Sequence, residues 1–145
     1  MNFYKDKYVI ITGGSEGIGK ALAIDLTKAG ADVSILSRSV LKLEQTRSEM
    51  EALRVSEKQR LNYASCDVTQ FETVKKTFDQ LIFDHKVPDI LMNVAGYAQP
   101  GYIHEQEIHH FDDMMNLIGW PHFPAHVAFS LRKRLLLSLV LFINV

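Results

Sequence analysis

The chain has 145 residues, 47% of them hydrophobic, with a net charge of −1 and a pI of about 6.6, which suits one domain with a buried core. No basic excess marks a nucleic-acid binder. A single cysteine, Cys66, excludes an internal disulfide and suits a reducing, cytoplasmic setting. The polar opening Met1-Asn2-Phe3-Tyr4-Lys5-Asp6-Lys7 does not read as a leader peptide.

Tyr8–Thr12, aromatic and β-branched, predicts a buried strand. It runs into Thr12-Gly13-Gly14-Ser15-Glu16-Gly17-Ile18-Gly19 and then the helix-forming Lys20-Ala21-Leu22-Ala23. Strand, glycine turn and helix in that order form a phosphate cradle. Gly13 can take the positive φ of a sharp strand exit. Gly17 lets the backbone approach a pyrophosphate, Gly19 lets the helix pack on the strand, and the helix start offers N–H groups to an anion. The helix is expected over Ile18–Ala29, with Leu22, Ile24 and Leu26 toward the core and Gly30 as its stop.

Asp32–Leu36 predicts the second strand. Ser39 then caps a polar helix from Val40 to about Leu53, with Leu41, Leu43 and Met50 among its apolar positions. Asn62–Cys66 reads as the third strand, and Gln70–Phe83 as a helix with Phe71, Val74, Phe78, Leu81 and Ile82 at helical spacing. Val87-Pro88-Asp89 turns into a fourth strand, Ile90–Asn93, and Glu105–Leu117 reads as a further helix. The alternation implies an α/β fold, a doubly wound parallel sheet in the spatial order 3-2-1-4. Ligands in such sheets sit beyond the strand C-terminal ends, at the switch between strands one and four.

The Gly-x-x-x-Gly-x-Gly spacing behind Thr12, Asp67-Val68 after the third strand and Asn93-Val94-Ala95-Gly96 closing the fourth together resemble the short-chain dehydrogenase/reductase family. The likeness covers residues 5–117. Ile11 to Lys20, Ser37-Arg38 followed by Lys42-Leu43, and Pro88-Asp89-Ile90-Leu91-Met92-Asn93 are similar to the branch that reduces 3-ketodihydrosphingosine to dihydrosphingosine. The resemblance implies a Rossmann-type fold, a nicotinamide dinucleotide as partner and a lipid-like ketone as substrate. It further implies that Gly13, Ser15, Glu16, Gly17, Ile18 and Gly19 line the cofactor turn. Asp67 would contact the adenine with Val68 as its apolar neighbour, Asn93 would tie the sheet together, and Ala95 and Gly96 would leave room for a ribose. The usual Asn-Asn pair is Asn93-Val94 in this chain.

An NAD site places an acid at the end of strand two, on the ribose hydroxyls. This chain has Ser37-Arg38-Ser39 and no acid there. Arg38 offers a fork of donors to a 2′-phosphate, Lys42 follows at i+4 on the same helix face, and Ser15 adds a hydroxyl, so NADPH is the expected cofactor. The plain alternatives are that Arg38 and Lys42 are solvated charges at a helix start and that Asp67 caps the next helix.

The family's chemistry uses a Tyr as acid, a Lys four residues on and a Ser upstream. The residues four on from Tyr4, Tyr8, Tyr63, Tyr97 and Tyr102 are Tyr8, Thr12, Asp67, Gly101 and Gln106, none of them Lys. After Gly96 the only serines are Ser130 and Ser138, and no tyrosine follows either. No catalytic residue is therefore assigned. The resemblance would also place an Asn two helical turns past Phe111, where Ile118 stands, while Asn116 lies on another face.

Ile118-Gly119-Trp120-Pro121-His122-Phe123-Pro124 puts two prolines where a helix is due. Codons for Asn-Trp-Leu-Ala-Thr-Phe read in another frame can give Ile-Gly-Trp-Pro-His-Phe, so residues 1–117 are expected as a dinucleotide-binding half-domain and 118–145 as a frameshifted tail. Leu135 to Ile143 is apolar behind Arg132-Lys133-Arg134, but far short of the about 20 residues of a membrane span. It reads as a chance apolar tail or an interfacial contact. His104, His109, His110, His122 and His126 lack cysteine partners and a shared helix face, so no metal site is expected. Two functions follow: the NADPH-binding portion of a keto-reducing oxidoreductase, and a nucleotide-binding fragment without catalysis.

Overall fold

The computed structural model describes residues 3–96, 102, 104, 107–110, 112 and 138–140. Tyr8–Thr12 forms β1, Gly17–Lys28 α1, Asp32–Ser37 β2, Val40–Leu53 α2, Leu61–Ser65 β3, Phe71–Asp84 α3, Ile90–Asn93 β4 and Ser138–Val140 β5. All pairings are parallel, in the order β3-β2-β1-β4-β5. The expected 3-2-1-4 order is present, and β5 joins it with Leu139 opposite Met92. The apolar run that sequence pattern reads as a tail thus contributes a strand, giving the main chain of β4 a second partner. Of the helix expected over Glu105–Leu117, residues 108–110 and 112 are helical. Most of its other positions lie outside the described residues, as do 118–137 and 141–145.

Strand alternation divides the core between the two sheet faces. Val9, Ile11, Val33, Ile35 and Met92 pack against Ala23 and Leu26 of α1 and Leu43 and Met50 of α2. Tyr8, Ile10, Leu36 and Leu91 pack against Val74, Phe78 and Leu81 of α3. With helices on both faces, β1 is buried along its whole length, which is why its sequence is continuously apolar instead of alternating. Two apolar positions depart from expectation. Leu41 is 66% exposed because the buried stripe of α2 runs through Leu43, Thr46 and Met50, two residues round the helix from it. Phe71 heads α3, one turn ahead of the buried stripe, and is 49% exposed.

Helix ends follow the local chemistry. The Ser39 hydroxyl accepts the Lys42 N–H at 3.4 Å, capping α2. Gly30, at φ 84°, follows the last residues of α1 in the left-handed region that glycine tolerates. Buried Gln59 clasps the return to β2, its amide donating to the carbonyls of Thr27 and Ala31 at 2.7 Å each. At the N-terminal end of the sheet the Asp89 carboxylate accepts the Tyr8 N–H at 2.9 Å, joining β1 to the entry of β4.

The Tyr8 hydroxyl lies 2.9 Å from the Ser34 hydroxyl, buried on the α3 face. Burial, only partly opposed by the Ser34 hydrogen bond, pushes its pKa up to about 12. The folded value stands above the unfolded one, so this contribution to stability is complete below pH 10 and disappears as pH rises toward 12. Chemical denaturation across that interval is expected to show a loss on the order of 2 kcal/mol from this group. Tyr8→Phe is expected to flatten the slope, and an unchanged slope would assign the titration to other groups.

Candidate cofactor site

β1 ends among three neighbours. The Thr12 hydroxyl accepts the N–H groups of Val94 at 3.2 Å and Ala95 at 3.3 Å, and the N–H groups of Gly13 and Gly14 donate to the Leu36 carbonyl at 2.8 and 3.2 Å. The turn is therefore stitched to the ends of both β4 and β2. Gly13 has φ 72°, and a Cβ on it would lie 2.7 Å from the Ala95 backbone. A Cβ on Gly14 would meet the Ile35 side chain at 2.6 Å, and one on Gly19 would fall on the Gly13 carbonyl. Gly17, at φ 54°, differs: a Cβ there would find nothing within 4 Å. Three glycines close the turn on the protein, and the fourth faces open space at the start of α1.

That start is open to an anion. Glu16 occupies the N-cap of α1 and makes no side-chain cap bond, so the first N–H groups of the helix are left to another acceptor. The Glu16 carboxylate instead reaches Lys42 Nζ on α2, at 2.6 Å. Further bracing from α2 comes from the buried Thr46 hydroxyl, which donates to the Ser15 carbonyl at 3.2 Å, and from Lys20 paired with Glu49 at 2.7 Å. Ser15 is buried in the turn, and Ile18 is half exposed beside it.

Arg38 is exposed in the bend before the Ser39 cap. It precedes the helix, so the i+4 helical relation expected between Arg38 and Lys42 does not apply: Lys42 lies in the first turn of α2 and its ammonium points to Glu16. The Arg38 carbonyl accepts the Ser65 hydroxyl at 3.3 Å, linking the ends of β2 and β3.

Asp67 Oδ1 accepts the N–H of Thr69 at 3.0 Å and its hydroxyl at 2.7 Å. Burial pushes the Asp67 carboxyl up, but the two Thr69 hydrogen bonds and the Arg38 charge outweigh it and hold the group below the usual carboxylate value. Asp67 thus shapes the turn into α3, whose N-cap is Gln70. Val68 is buried in the α3-side core with Cys66, whose thiol pKa burial pushes up.

Asn93 is buried, and its side-chain amide nitrogen and oxygen have no hydrogen-bond partner among the described residues. Between the ends of β1 and β4, the side-chain tie among the described residues is that of Thr12. Ala95 packs against the α3-side core, and Gly96 is exposed. The parallel sheet therefore gathers Gly13 to Gly19, Arg38, Asp67, Val68, Ala95 and Gly96 at the C-terminal ends of β1 to β4. Sequence reasoning missed the bracing role of Thr46. Its only signal is a polar residue between Leu43 and Met50 on an otherwise apolar stripe.

The donor set fits a dinucleotide: an uncapped helix start, a glycine with open space before it, and an exposed guanidinium at the end of β2. The sequence model of the short chain dehydrogenase family matches residues 7–129, beyond Leu117. A 3-dehydrosphinganine reductase of Danio rerio is 31% identical over 140 residues, 94% of this chain and 42% of that protein. A PIGF/3-ketodihydrosphingosine reductase fusion protein of Schizosaccharomyces pombe is 35% identical over 109 residues, 75% of this chain and 22% of that one. The chain thus spans well under half the length of these relatives. A short-chain type dehydrogenase/reductase from Mycobacterium ulcerans superposes with a TM-score of 0.80 at 25% identity, covering 88% of this chain and 46% of the other.

The turn geometry ranks its glycines. Gly13→Ala and Gly19→Ala are expected to lower the thermal midpoint strongly, since backbone must shift in both. Gly17→Ala, whose new methyl meets only open space, should cost about 1–2 kcal/mol for its left-handed φ. Equal losses in all three would contradict this account of the turn.

Proposed function

The chain belongs to the short-chain dehydrogenase family, and on that premise we propose that it carries the NADPH-binding portion of a reductase acting on a keto group. The observation that carries this reading is the glycine turn, closed on the protein at Gly13, Gly14 and Gly19 and open only at Gly17, with Arg38 where an NAD site would hold an acid. The pyrophosphate would lie over Gly17 and the N–H groups of Ile18 and Gly19, with Glu16 flanking it. The adenine would lie between Arg38 and Asp67-Val68, and the ribose beyond Asn93, against Ala95 and Gly96. Ser15, Arg38 and Lys42 would face the 2′-phosphate. When bound, NADPH would supply a hydride to the ketone carbon; the residues of this chain would bind and orient it.

The identity with sphingoid-base reductases supports 3-ketodihydrosphingosine as the substrate. A lipid ketone of that kind also favours a cytoplasmic protein working at a membrane surface, although no helix among the described residues is long and apolar enough to cross one. A second reading, nucleotide binding without catalysis, is favoured by the lack of any Tyr-x-x-x-Lys in these 145 residues. Calorimetry with NADPH and NADH beside a ketone-dependent NADPH oxidation assay separates the two. NADPH binding without turnover supports a cofactor-binding portion that lacks its catalytic residues, and turnover would mean that other residues replace the missing Tyr and Lys.

Arg38→Glu is expected to weaken NADPH by tenfold or more, roughly the worth of a charge-assisted bond, with little change for NADH. Equal losses for both cofactors would remove the 2′-phosphate assignment.

A further inference from the structure

Lys42 does not wait unpaired for a phosphate. Its ammonium sits 2.6 Å from Glu16, a residue of the glycine turn itself, and the two side chains remain 49% and 69% exposed. A pair so open to water is held only weakly, because solvent and salt screen it and both side chains lose rotamer freedom. An incoming anion can therefore draw Lys42 away at small cost. The same contact has a second effect. Glu16 stands at the N-cap of α1, yet its carboxylate does not fold back onto the helix N–H groups. Directed at Lys42, it leaves them to a ligand, while its negative charge stays beside any phosphate that enters.

We propose that Glu16 is a specificity-determining residue of this site: it competes with the 2′-phosphate for Lys42 and holds the preference for NADPH over NADH below what Arg38 and Lys42 alone would give. The inference rests on the reading of Arg38 and Lys42 as the 2′-phosphate end of the site. NADH, with a hydroxyl at that position, has no claim on Lys42, so the competition touches one cofactor and not the other. Lys42 in turn serves Glu16 as a counter-ion, and its loss frees the carboxylate to approach the helix start.

The test is calorimetric titration of NADPH and NADH into the chain and into Glu16→Gln, Lys42→Ala, the double variant and Arg38→Glu, at low and at high salt, with thermal melts as a check of folding. Glu16→Gln is expected to tighten NADPH roughly three- to fivefold, the upper range of an exposed pair, and NADH clearly less, since NADH gains only from the lost charge beside the pyrophosphate. That gain should shrink in the Lys42→Ala background and fade at high salt. No gain for NADPH, or the same gain with and without Lys42, would overturn the proposal. If Arg38→Glu weakens both cofactors equally, the 2′-phosphate reading itself falls. If Arg38→Glu discriminates and Glu16→Gln does not, only the role of Glu16 falls.

Discussion

The close approach of Gly13 to the backbone of Ala95 governs the C-terminal end of this sheet. A single Cβ would not fit there, and Thr12 uses the proximity to take the N–H groups of both Val94 and Ala95. The central strands β1 and β4 are thereby locked together at their C-terminal ends, where the strand order 3-2-1-4 reverses direction. Such a reversal is where α/β sheets bind ligands. The residues proposed for the cofactor are placed by this junction or by the strand ends beside it, except Lys42, which α2 supplies.

The second support is lateral. α2 packs on α1 and on the sheet through Leu43 and Met50, and from that base Thr46 holds the Ser15 carbonyl while Lys42 and Glu49 reach Glu16 and Lys20. The glycine turn, which has little side chain of its own to pack, is made rigid by its neighbour. Preorganisation of this kind lowers the ordering cost of binding an anion. At the opposite end of the sheet the polar groups do structural work: Tyr8 meets Ser34, and Asn62 meets His85 at 3.0 Å. Burial, with the nearby Arg60 charge, holds the His85 pKa below the ordinary histidine value. Stability and recognition are thus served by different ends of the same strands.

Much of this was legible in the sequence because the strongest signals are local. β1 and β4 carry dense β-branched and aliphatic runs, Ser39 and Gly30 mark helix ends, and the glycine spacing encodes a turn. The misplacements have one physical origin. Leu41 and Phe71 are apolar at plausible positions, but burial depends on what lies across the interface, which periodicity does not report. Arg38 and Lys42 stand at a helical spacing, but the helix starts two residues after Arg38. The tie that Thr12 makes to Val94 and Ala95 is not marked in the sequence, because which side chain satisfies which N–H is a matter of tertiary geometry. β5 was hidden because an apolar run declares itself a strand only when an open sheet edge receives it.

The central claim is that the open side of the glycine turn receives a dinucleotide phosphate. Its most direct test is an amide chemical-shift titration of the isotopically labelled chain with NADPH. The account predicts saturable shifts at Gly13 to Gly19, Arg38, Asp67 and Ala95, with the amides of Tyr8, Gln59 and His85 at the far end of the sheet unmoved. No shifts at the turn, or saturable shifts centred elsewhere, would contradict it.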